Sequence, residues 1–515
     1  MLAGELRLGG ARVVVVEKLA EPTGQSRGLG FTARAMEVFD QRGLLPRFGA
    51  LEKSPMGHFG GVQFDYTVLA DAHFGARGVP QSQTEAVLEE WAGELGADIR
   101  RGWELTKLAD SGDGVEIVAA TPEGEQRVRG AYLVGCDGGQ SVVRKAAGFD
   151  FPGLPATRRM YLADVTGCDI RPRFLGERLQ NGMVMAAPLK PGVDRIIVCE
   201  DGTPAGDRPE DVEFDEVAAA WERITGESLA GGGADWVSSF TDATRQASAY
   251  RRGRVLLAGD AAHVHLPAGG QGLSTGVQDA VNLGWKLAAV IRGDVPDTLL
   301  DTYHDERHPV GARLLMNTRA QGVIFLGGAE ADPVRTVFGE LMALEEVRRR
   351  LAGVVSHLDI TYDLGPGTHP LLGRRLPPRP LTLADGTRTT TTDLLHPARG
   401  VLLDLADAPE LRAAAAGWAD RISVVRATPE NPEVFSQATA LLVRPDGHVA
   451  WTAGGKDTTA AGKDTDTMTD PYDAAPQAPA PVTSDAAPAT EAELADAVDS
   501  LVTALHHWFG SPEVA

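Results

Sequence analysis

Apolar and polar residues at the start of the chain first follow a helical period and then give way to a continuous apolar run. The opening segment, MLAGELRL, has leucines at positions 2, 6 and 8 and is followed by Gly9-Gly10, which predicts a short helix with a glycine stop. Arg12 to Glu17 contains four consecutive valines and ends in an acid, which predicts a buried parallel strand. A helix, a glycine turn and a valine strand form the second half of a dinucleotide-binding βαβ unit.

A unit of this kind begins with a strand and a G-x-G-x-x-G turn that holds a pyrophosphate at the helix N-terminus. The sequence contains neither of them ahead of this helix. We therefore expect Met1 to be an internal position of a longer nucleotide-binding unit, because a parallel sheet without its central strand leaves two edges unpaired. The alternative is that the half-unit does not bind a nucleotide.

The predicted elements then change from helices to antiparallel strands. Helices are predicted from about Thr32 and in QSQTEAVLEEWAGELGA. WELTKLAD, VEIVAA and QRVRGAYLVG are separated by the turns SGDG and TPEG, which favour hairpins. Between residues 155 and 250, runs such as MVMAAPL and RIIVCE alternate with one helical run, EDVEFDEVAAAWERI, which indicates a second, largely antiparallel layer.

The chain returns to a Rossmann-like pattern at Arg254. RVLLAG is an apolar strand that leads into a loop, and a long helix is predicted from about Gly272 to Ile291. The proline-rich GRRLPPRPL marks a boundary near residue 375, beyond which GVLLDL, APELRAAAAGWA, ISVVRA and ALLVRPDGHVAW predict a small α/β unit. Residues from about 454 to 489 lack the apolar content needed to pack, which predicts a disordered insertion before a final helix.

Composition is that of an ordinary globular protein with two or three domains. The chain has 515 residues, of which 43% are hydrophobic and 23% are charged. Its formal net charge of -22 disfavours non-specific binding to nucleic acid or to an anionic membrane. No apolar run reaches the roughly 18 residues of a membrane span, no signal-peptide pattern follows Met1, and the 3 cysteines form no C-x-x-C pair. These features predict a cytoplasmic protein.

Two candidate sites lie at the ends of predicted strands. Glu17 ends its strand where an acid accepts hydrogen bonds from the hydroxyls of an adenosine ribose, the alternative being a solvated charge. In YLVGCDGGQSVVRKAAG, an apolar strand leads to Asp137 and Gly138 and then to Arg144 in the first turn of a helix. A carboxylate, a flexible backbone and a basic residue at a helix N-terminus suit a loop that contacts a pyrophosphate, the alternative being a capped turn with a surface arginine.

The third candidate site, RVLLAGDAAHVHLPAGGQGLSTGVQDAVNLGWKLA, is the most specific. Gly259-Asp260 follows the strand directly, where a carboxylate can bind a polyol hydroxyl. Pro267 and glycines 269, 270 and 272 allow the backbone to approach a flat ring closely. The helix that begins there directs its N-terminal N–H groups toward this loop, which is favourable beside a ring that becomes anionic on reduction.

We predict no metal ligand and no side-chain nucleophile, so the catalytic residues are unknown. His263 and His265 form an H-x-H pair, but no third ligand cluster stands near them in the sequence. Arg245, in FTDATRQASAYR, is a candidate for orienting a substrate, with a salt bridge as the alternative explanation.

With these segments in order, the sequence resembles the flavin-dependent aromatic hydroxylases of the para-hydroxybenzoate hydroxylase fold, and among them the hydroxylases of bacterial aromatic polyketides. Asp137-Gly138 matches their DG motif and Gly259-Asp260 their GD motif. QSRGLGFTAR, HPLLGRRLP and LLVRPDGHVAW are similar to the same group, whose last domain is thioredoxin-like without redox cysteines. The chain departs from the family in lacking the G-x-G-x-x-G turn and in carrying Ser274 where asparagine is frequent.

The resemblance implies a mixed α/β (α+β) fold with three domains. They are a Rossmann-like, N-terminally truncated FAD-binding domain, an antiparallel-sheet substrate-binding domain and a thioredoxin-like C-terminal domain. The expected ranges are residues 1–70, 78–154 and 248–372 for the FAD-binding domain, 155–247 for the substrate-binding domain, and 375–515 for the C-terminal domain with its insertion at about 454–489.

The resemblance also implies that the cofactor is FAD and suggests which residues bind it. Glu17 and Lys18 would hold the adenosine ribose, and Arg27 and Gln81 would lie along the ribityl chain and the diphosphate, with Gln83 as a competing choice for Gln81. The other implied contacts are Asp137, Gly138 and Arg144 at the DG turn, Gly259 and Asp260 at the GD turn, and Pro267, Gly270, Gly272 and Leu273 along the flavin ring.

By the same resemblance the protein is a monooxygenase that hydroxylates a phenolic aromatic polyketide with NADPH and O₂ through a C4a-hydroperoxyflavin. The apolar layer between residues 155 and 250 would exclude water from the reaction. The expected partners are a small-molecule substrate and O₂, with no nucleic acid and no membrane, and the expected state is a monomer or homodimer. Two alternatives stay open, a Baeyer–Villiger monooxygenase on the same fold and a flavin-free scaffold or partner protein.

Overall fold

The short strands and glycine turns predicted from the sequence are present in the structure, a computed structural model that describes residues 1–69, 74–205, 212–455 and 491–512. Contacts divide the chain into two units, Met1–Ile360 with His396–Ala398, and Thr361–Leu395 with Arg399–Ala515. The insertion predicted at about 454–489 lies almost entirely outside the described residues, and the predicted domain boundaries stay predictions. None of the helices in the described ranges combines the length and the hydropathy of a membrane span.

Helices and strands alternate along the first unit. Its helices are α1 (Leu2–Leu8), α2 (Ala33–Asp40), α3 (Gln81–Glu94), α4 (Val142–Ala146), α5 (Phe214–Thr225), α6 (Gly272–Arg292), α7 (Asp301–Leu326), α8 (Asp332–Leu341) and α9 (Glu345–Ser356). Its strands are β1 (Val14–Glu17), β2 (Gly30–Phe31), β3 (Lys53–Ser54), β4 (Met56–Phe59), β5 (Val62–Asp65), β6 (Ala76–Gly78), β7 (Asp98–Arg101), β8 (Glu104–Asp110), β9 (Val115–Thr121), β10 (Gly124–Gly130), β11 (Leu133–Gly135), β12 (Gly153–Leu154), β13 (Arg159–Thr166), β14 (Arg173–Leu179), β15 (Gly182–Lys190), β16 (Val193–Glu200), β17 (Gly233–Thr241), β18 (Thr244–Gln246), β19 (Arg251–Arg252), β20 (Val255–Leu257) and β21 (His263–Val264).

Parallel strand pairs and tightly packed helices form the Rossmann-like part of this unit. β1 pairs in parallel with β7, and β11 pairs in parallel with β20. Helix α1 packs on α6 with little space between them, because a Cβ atom at Gly284 would lie 2.4 Å from the Cβ of Glu5. The Glu5 carboxylate forms a fully buried ion pair with Arg42 at 2.7 Å, which fixes α1 against the loop after α2.

The antiparallel layer predicted after residue 155 is a sheet with the strand order β14-β15-β16-β13-β17. Because side chains alternate between the two faces of a strand, the sheet presents two different apolar surfaces. One face, which includes Val198 and Ile196, packs against Trp221 of α5. The opposite face carries Met160 and Met183 and belongs to a separate apolar cluster.

The second unit is a mixed sheet with helices. Its strands are β22 (Pro380–Leu383), β23 (Arg388–Thr390), β24 (Gly400–Asp404), β25 (Ile422–Pro429), β26 (Ala438–Val443) and β27 (Val449–Gly454), and its helices are α10 (Pro409–Ala414) and α11 (Glu491–Phe509). The strand order is β23-β22-β25-β24-β26-β27, with β24 parallel to β25 and antiparallel to β26. Helix α10 is shorter than predicted, because the chain passes into a short 3₁₀ turn at Ala416–Trp418. The mixed α/β fold with antiparallel sheets is therefore confirmed.

A glycine-to-alanine change at the close contact between α1 and α6 should lower the free energy of unfolding, whereas the same change at an exposed helix position should raise it. Gly284→Ala should lower the free energy of unfolding by about 1–3 kcal/mol, because the added methyl group has no space beside Glu5. Gly339→Ala, in the exposed part of α8 where a Cβ meets nothing within 4 Å, should raise it by about 0.5–1 kcal/mol through helix propensity. Urea unfolding of both variants is the measurement. Equal stabilisation by both would contradict the described packing of α1.

Candidate functional site

The DG and GD motifs lie side by side at one edge of a parallel strand pair. Gly135, the last residue of β11, is paired with Leu257, the last residue of β20. The N–H group of Ala258 continues this pairing by donating to the carbonyl of Gly135 at 3.0 Å. Asp137 and Asp260 therefore both follow the carboxyl ends of neighbouring parallel strands, the position where open α/β sheets bind ligands.

Asp137 builds the DG turn by capping α4. One of its carboxylate oxygens accepts hydrogen bonds from the N–H groups of Val142 and Val143, at 2.6 and 3.0 Å. The Ser141 hydroxyl bonds to the other oxygen and accepts from the N–H of Arg144 at 2.9 Å. Gly138 has a φ of 75°, a left-handed conformation that the tight turn between β11 and α4 requires.

Arg144 joins the DG turn to the GD turn. Its guanidinium donates to the carbonyl of Ala261 at 2.8 Å and to the carbonyl of Gly139 at 2.9 Å, and it lies 3.7 Å above the ring of Phe151. The side chain is buried, and burial lowers the pKa of its guanidinium. The alternative of a surface arginine is therefore wrong, because these bonds hold the two turns together.

The GD turn is held from beneath by a buried carboxylate. Asp279, on α6, accepts a hydrogen bond from the N–H of Gly259 at 3.0 Å and contacts Nε2 of His263 at 2.8 Å with the same oxygen. Its other oxygen accepts from Nε of Arg307, on α7, at 2.7 Å. Burial alone would raise the pKa of Asp279, but the charges of Arg307 and His263 outweigh it and lower the pKa.

This network gives His263 a hydrogen-bonding role in the fold, as expected from the sequence for a loop histidine. Nε2 of His263 is bound to Asp279 in the fold, and the structure shows no group of three or more metal-ligating side chains among its described residues. Neither Asp279 nor Arg307 was predicted from the sequence. The available signal was a set of polar residues, Asp279 among them, inside the long and largely apolar helix VQDAVNLGWKLA, where a buried acid requires a partner.

Asp260 itself is exposed. Within the described part of the chain, no residue donates a hydrogen bond to its carboxylate. A φ of 62° at Gly259 turns the backbone so that this side chain leaves the fold while the Gly259 N–H faces inward. The carboxylate is therefore available to a ligand.

Residues 266–273, which we call the ring-side loop, lead into the N-terminus of α6. Gly269 and Gly270 have successive left-handed φ angles of 72° and 65°. Helix α6 begins at Gly272, and the side chain of its N-cap residue, Gln271, does not cap its first N–H groups. Pro267, Gly270 and Leu273 are exposed. The loop therefore exposes apolar residues beside the positive end of a helix dipole.

Glycine-rich residues 24–30 approach this loop closely. A Cβ at Gly28 would lie 2.3 Å from the end of the Leu273 side chain, so the two segments are in close contact here. The Gly28 N–H donates to Oε1 of Gln81 at 3.2 Å, whereas the Gln83 amide donates to the carbonyl of Phe48. Of the two competing glutamines, Gln81 is the one that bonds to this glycine-rich segment.

Four of the predicted residues are not bonded to these turns. Glu17 is half-buried at the end of β1 and accepts a hydrogen bond from the N–H of Leu19 at 2.8 Å, while Lys18 and Arg27 are exposed. Arg245 lies on β18, opposite Gly153 on one side and Val264 on the other. Among the described residues, no side-chain hydrogen bond connects these four with the DG or GD turn.

A sulfur-rich apolar surface packs against the ring-side loop. Met160, Met183, Met185, Cys199 and Phe240, which we call the apolar wall, share one face of the five-stranded sheet. They cluster with Leu266 and Ala268 of the ring-side loop and with Phe325 and Leu326 at the end of α7. Met185, Phe240 and Phe325 are partly exposed and form the accessible part of this cluster.

The described residues fit a flavin nucleotide. An uncapped helix N-terminus and a two-glycine turn suit a flat ring that gains negative charge, and an exposed carboxylate at a strand end suits a polyol chain. The apolar wall adds an apolar surface that packs against the ring-side loop. Fold and site together define a flavin-dependent aromatic hydroxylase.

Comparison with known proteins gives the same class. Residues 1–318 match the family model of the FAD binding domain, and residues 369–472 match the model of the aromatic-ring hydroxylase C-terminal domain. The chain belongs to this family of FAD-dependent aromatic hydroxylases.

Relatives that are similar over most of the chain carry related names. A 12-dehydrotetracycline 5-monooxygenase/anhydrotetracycline 6-monooxygenase of Streptomyces rimosus is 45% identical over 88% of this chain and 93% of its own length. A rifampicin monooxygenase of Streptomyces venezuelae is 44% identical over 88% of this chain and 92% of its own. The crystal structure of CabE, an aromatic hydroxylase from angucycline biosynthesis, matches with a TM-score of 0.88 and 54% identity, covering 99% of this chain and 97% of that chain. The predicted monooxygenase class is confirmed, and the Baeyer–Villiger and flavin-free alternatives are not favoured.

Removing the charge of Asp279 should destabilise the first unit strongly. Asp279→Asn removes the buried carboxylate charge that pairs with Arg307 at 2.7 Å, so we expect the free energy of unfolding to fall by about 3–5 kcal/mol. The matched change Asp235→Asn, which breaks an exposed ion pair with Lys190, should cost less than about 1 kcal/mol. Urea unfolding followed by circular dichroism measures both. A loss at Asp279 as small as that at Asp235 would show that the buried network does not hold the GD turn.

Proposed function

We propose that this enzyme hydroxylates a phenolic aromatic polyketide, with NADPH as the reductant and O₂ as the oxidant. The observation that carries the proposal is the apolar wall beside the ring-side loop, because it offers a dry, polarizable surface to a large planar molecule. Relatives named for tetracycline, rifampicin and angucycline chemistry support an aromatic polyketide as the substrate class.

In this proposal, FAD lies along the edge formed by the DG and GD turns. Asp260 holds the ribityl chain, while Pro267, Gly270, Gly272 and Leu273 contact the ring. Gly28 and Gln81 bring Arg27 to the same side, where its guanidinium faces the diphosphate. Asp137, Gly138, Arg144 and Gly259 form the backbone platform of the two turns, and Glu17 with Lys18 binds the adenosine ribose at the end of β1.

When bound, FAD supplies electron transfer from NADPH and activation of O₂. Overall, NADPH gives two electrons, one oxygen atom replaces a ring hydrogen as a hydroxyl group, and the other oxygen atom leaves as water. The protein contributes position and environment. The N–H groups at the start of α6 stabilise negative charge on the reduced ring, and the apolar wall orients the substrate and keeps water away. Arg245 is the proposed substrate-orienting cation.

Removal of the Asp260 carboxylate should weaken FAD binding without affecting the fold. Because a hydrogen bond to a charged group contributes about 1.5–3 kcal/mol, Asp260→Ala should raise the dissociation constant for FAD about 10–100-fold. The thermal unfolding of the apoprotein should not change, since no described residue donates to this carboxylate. Quenching of flavin fluorescence gives the dissociation constant, with Asp235→Ala as the control on a distant exposed carboxylate. Unchanged FAD affinity would rule Asp260 out as a ligand.

Isotope labelling tests the reaction itself. The purified enzyme is incubated with FAD, NADPH and ¹⁸O₂, and with anhydrotetracycline and phenolic angular tetracycles as candidate substrates. We expect one ¹⁸O atom in a new phenolic or ring hydroxyl group, since an oxygen atom is transferred from O₂. Parallel incubations in H₂¹⁸O should give unlabelled product. Oxygen inserted between two ring carbons would instead establish Baeyer–Villiger chemistry, and a product without added oxygen would exclude a monooxygenase.

A further inference from the structure

His357 occupies an unusual backbone position at the end of α9. It follows Ser356, the last residue of the helix, with φ 61° and ψ 21°, a left-handed conformation that a non-glycine residue rarely adopts. Its backbone closes the helix, because the N–H of Leu358 donates to the carbonyl of Gly353 at 3.2 Å. The side chain is only 5% exposed. His357 is therefore a buried polar residue in a backbone conformation of higher energy, and such residues are frequent at functional sites.

Both ring nitrogens of His357 bind glutamines of the segment that opens α6. Nδ1 lies 2.9 Å from Nε2 of Gln278, and Nε2 lies 3.2 Å from Oε1 of Gln271. Gln278 also donates to the carbonyl of Ser274, which fixes its Nε2 as a donor. His357 therefore accepts at Nδ1 and donates from Nε2, the pattern of a neutral imidazole.

The neutral form is maintained by the surroundings of the ring. Burial, together with the positive charge of Arg307 and the neighbouring His265, lowers the pKa of His357 to about 3. His357 is consequently neutral at neutral pH, with one ring nitrogen that donates and one that accepts.

Gln271 carries this contact into the ring-side loop. Its Nε2 donates to the carbonyl of Ala268 at 3.3 Å and lies 3.0 Å from the position of a Cβ at Gly269. Its own carbonyl accepts from the N–H and the hydroxyl of Thr275, in the first turn of α6. Gln271 thus connects the loop to the helix, because its side chain bonds to Ala268 and its backbone carbonyl bonds to Thr275. The turn it spans, Gly269-Gly270, has the least intrinsic conformational preference of any two-residue sequence.

We propose that His357 is a positioning residue for the flavin ring, which acts through Gln271 to fix the Gly269-Gly270 turn and the N-terminus of α6. This inference rests on the proposed function, because it takes the ring-side loop as the place where FAD binds. It assigns a role in the cofactor site to α9, an element that supplies none of the other proposed FAD contacts.

Two variants each remove the hydrogen bond between His357 and Gln271, one by changing His357 and the other by changing Gln271. His357→Asn keeps a residue that tolerates the left-handed backbone and places an amide near the position of Nδ1, so the contact with Gln278 is retained while Gln271 is out of reach. Gln271→Met removes the hydrogen bonds to His357 and to Ala268 with little change in volume. His308→Asn, at a half-buried histidine of α7 packed against Tyr250, is the matched control.

The full chain and its variants are titrated with FAD, and the midpoint reduction potential of the bound flavin is measured. We expect His357→Asn to bind FAD about fivefold to tenfold more weakly, the effect of one hydrogen bond. Gln271→Met also loses the bond to Ala268, so its affinity should fall at least as far. The double variant should match Gln271→Met, because the bond lost in His357→Asn is already absent there. The potential should become more negative, since the N–H groups of α6 lie less favourably beside the reduced ring. His308→Asn should leave both quantities as in the wild type.

The outcomes separate this inference from the proposed function. Wild-type binding of FAD with unchanged affinity and potential in His357→Asn would overturn the positioning role alone. Weaker binding in both single variants whose effects multiply in the double variant would also overturn it, because His357 and Gln271 would then act independently. A wild-type chain that takes up no FAD would overturn the proposed function and this inference together. If His357→Asn fails to fold, Gln271→Met gives the same test from the loop side.

Discussion

The buried carboxylate of Asp279 is the interaction on which the first unit depends. It accepts a hydrogen bond from the N–H of Gly259 in the GD turn. It also contacts His263 on β21 and forms an ion pair with Arg307 on α7. These groups come from different segments of the chain, and each would be costly to bury without a partner. Because one acceptor satisfies all of them, the GD turn, the long helix beneath it and the next helix are specified together. The position of Asp260 at the surface follows from this arrangement.

Two further arginines connect parts of the first unit in a similar way. Arg144 joins the DG and GD turns by donating to backbone carbonyls. Arg195, on β16, pairs with Asp164 on β13 and also donates to the carbonyl of Ser26. The second contact connects the antiparallel sheet with the glycine-rich segment that approaches the ring-side loop. In both cases a guanidinium is used because its fork of donors can satisfy several acceptors at once.

The sequence was sufficient for features that depend on local pattern. The valine strand, the hairpins with glycine turns and the long α6 are present as predicted, because period and turn chemistry act over a few residues. Helices α7 to α9 were not predicted. In α7, buried residues such as Tyr303, Arg307 and Leu314 are mixed with polar ones around the helix, and Pro309 interrupts the pattern, so no single apolar stripe identifies it. The motifs located the candidate site, but the partners Asp279–Arg307 and Gln271–His357 are remote in sequence and only tertiary structure pairs them. The choice between Gln81 and Gln83 depended on how α3 is rotated, which the sequence pattern did not determine.

The composition of the apolar wall has a consequence for the evolution of substrate range. Three of its five members are methionines, unbranched side chains that change shape by rotating about single bonds. Met185, the methionine in the accessible part of the wall, can change shape toward differently shaped ring systems, and the buried Met160 and Met183 of the same cluster can adjust with it, whereas valine or isoleucine would fix one contour. In the proposed substrate site, such a wall would accept a new polycyclic scaffold before any substitution has adapted to it. Later exchange of individual methionines for branched residues would convert that tolerance into selectivity for one scaffold.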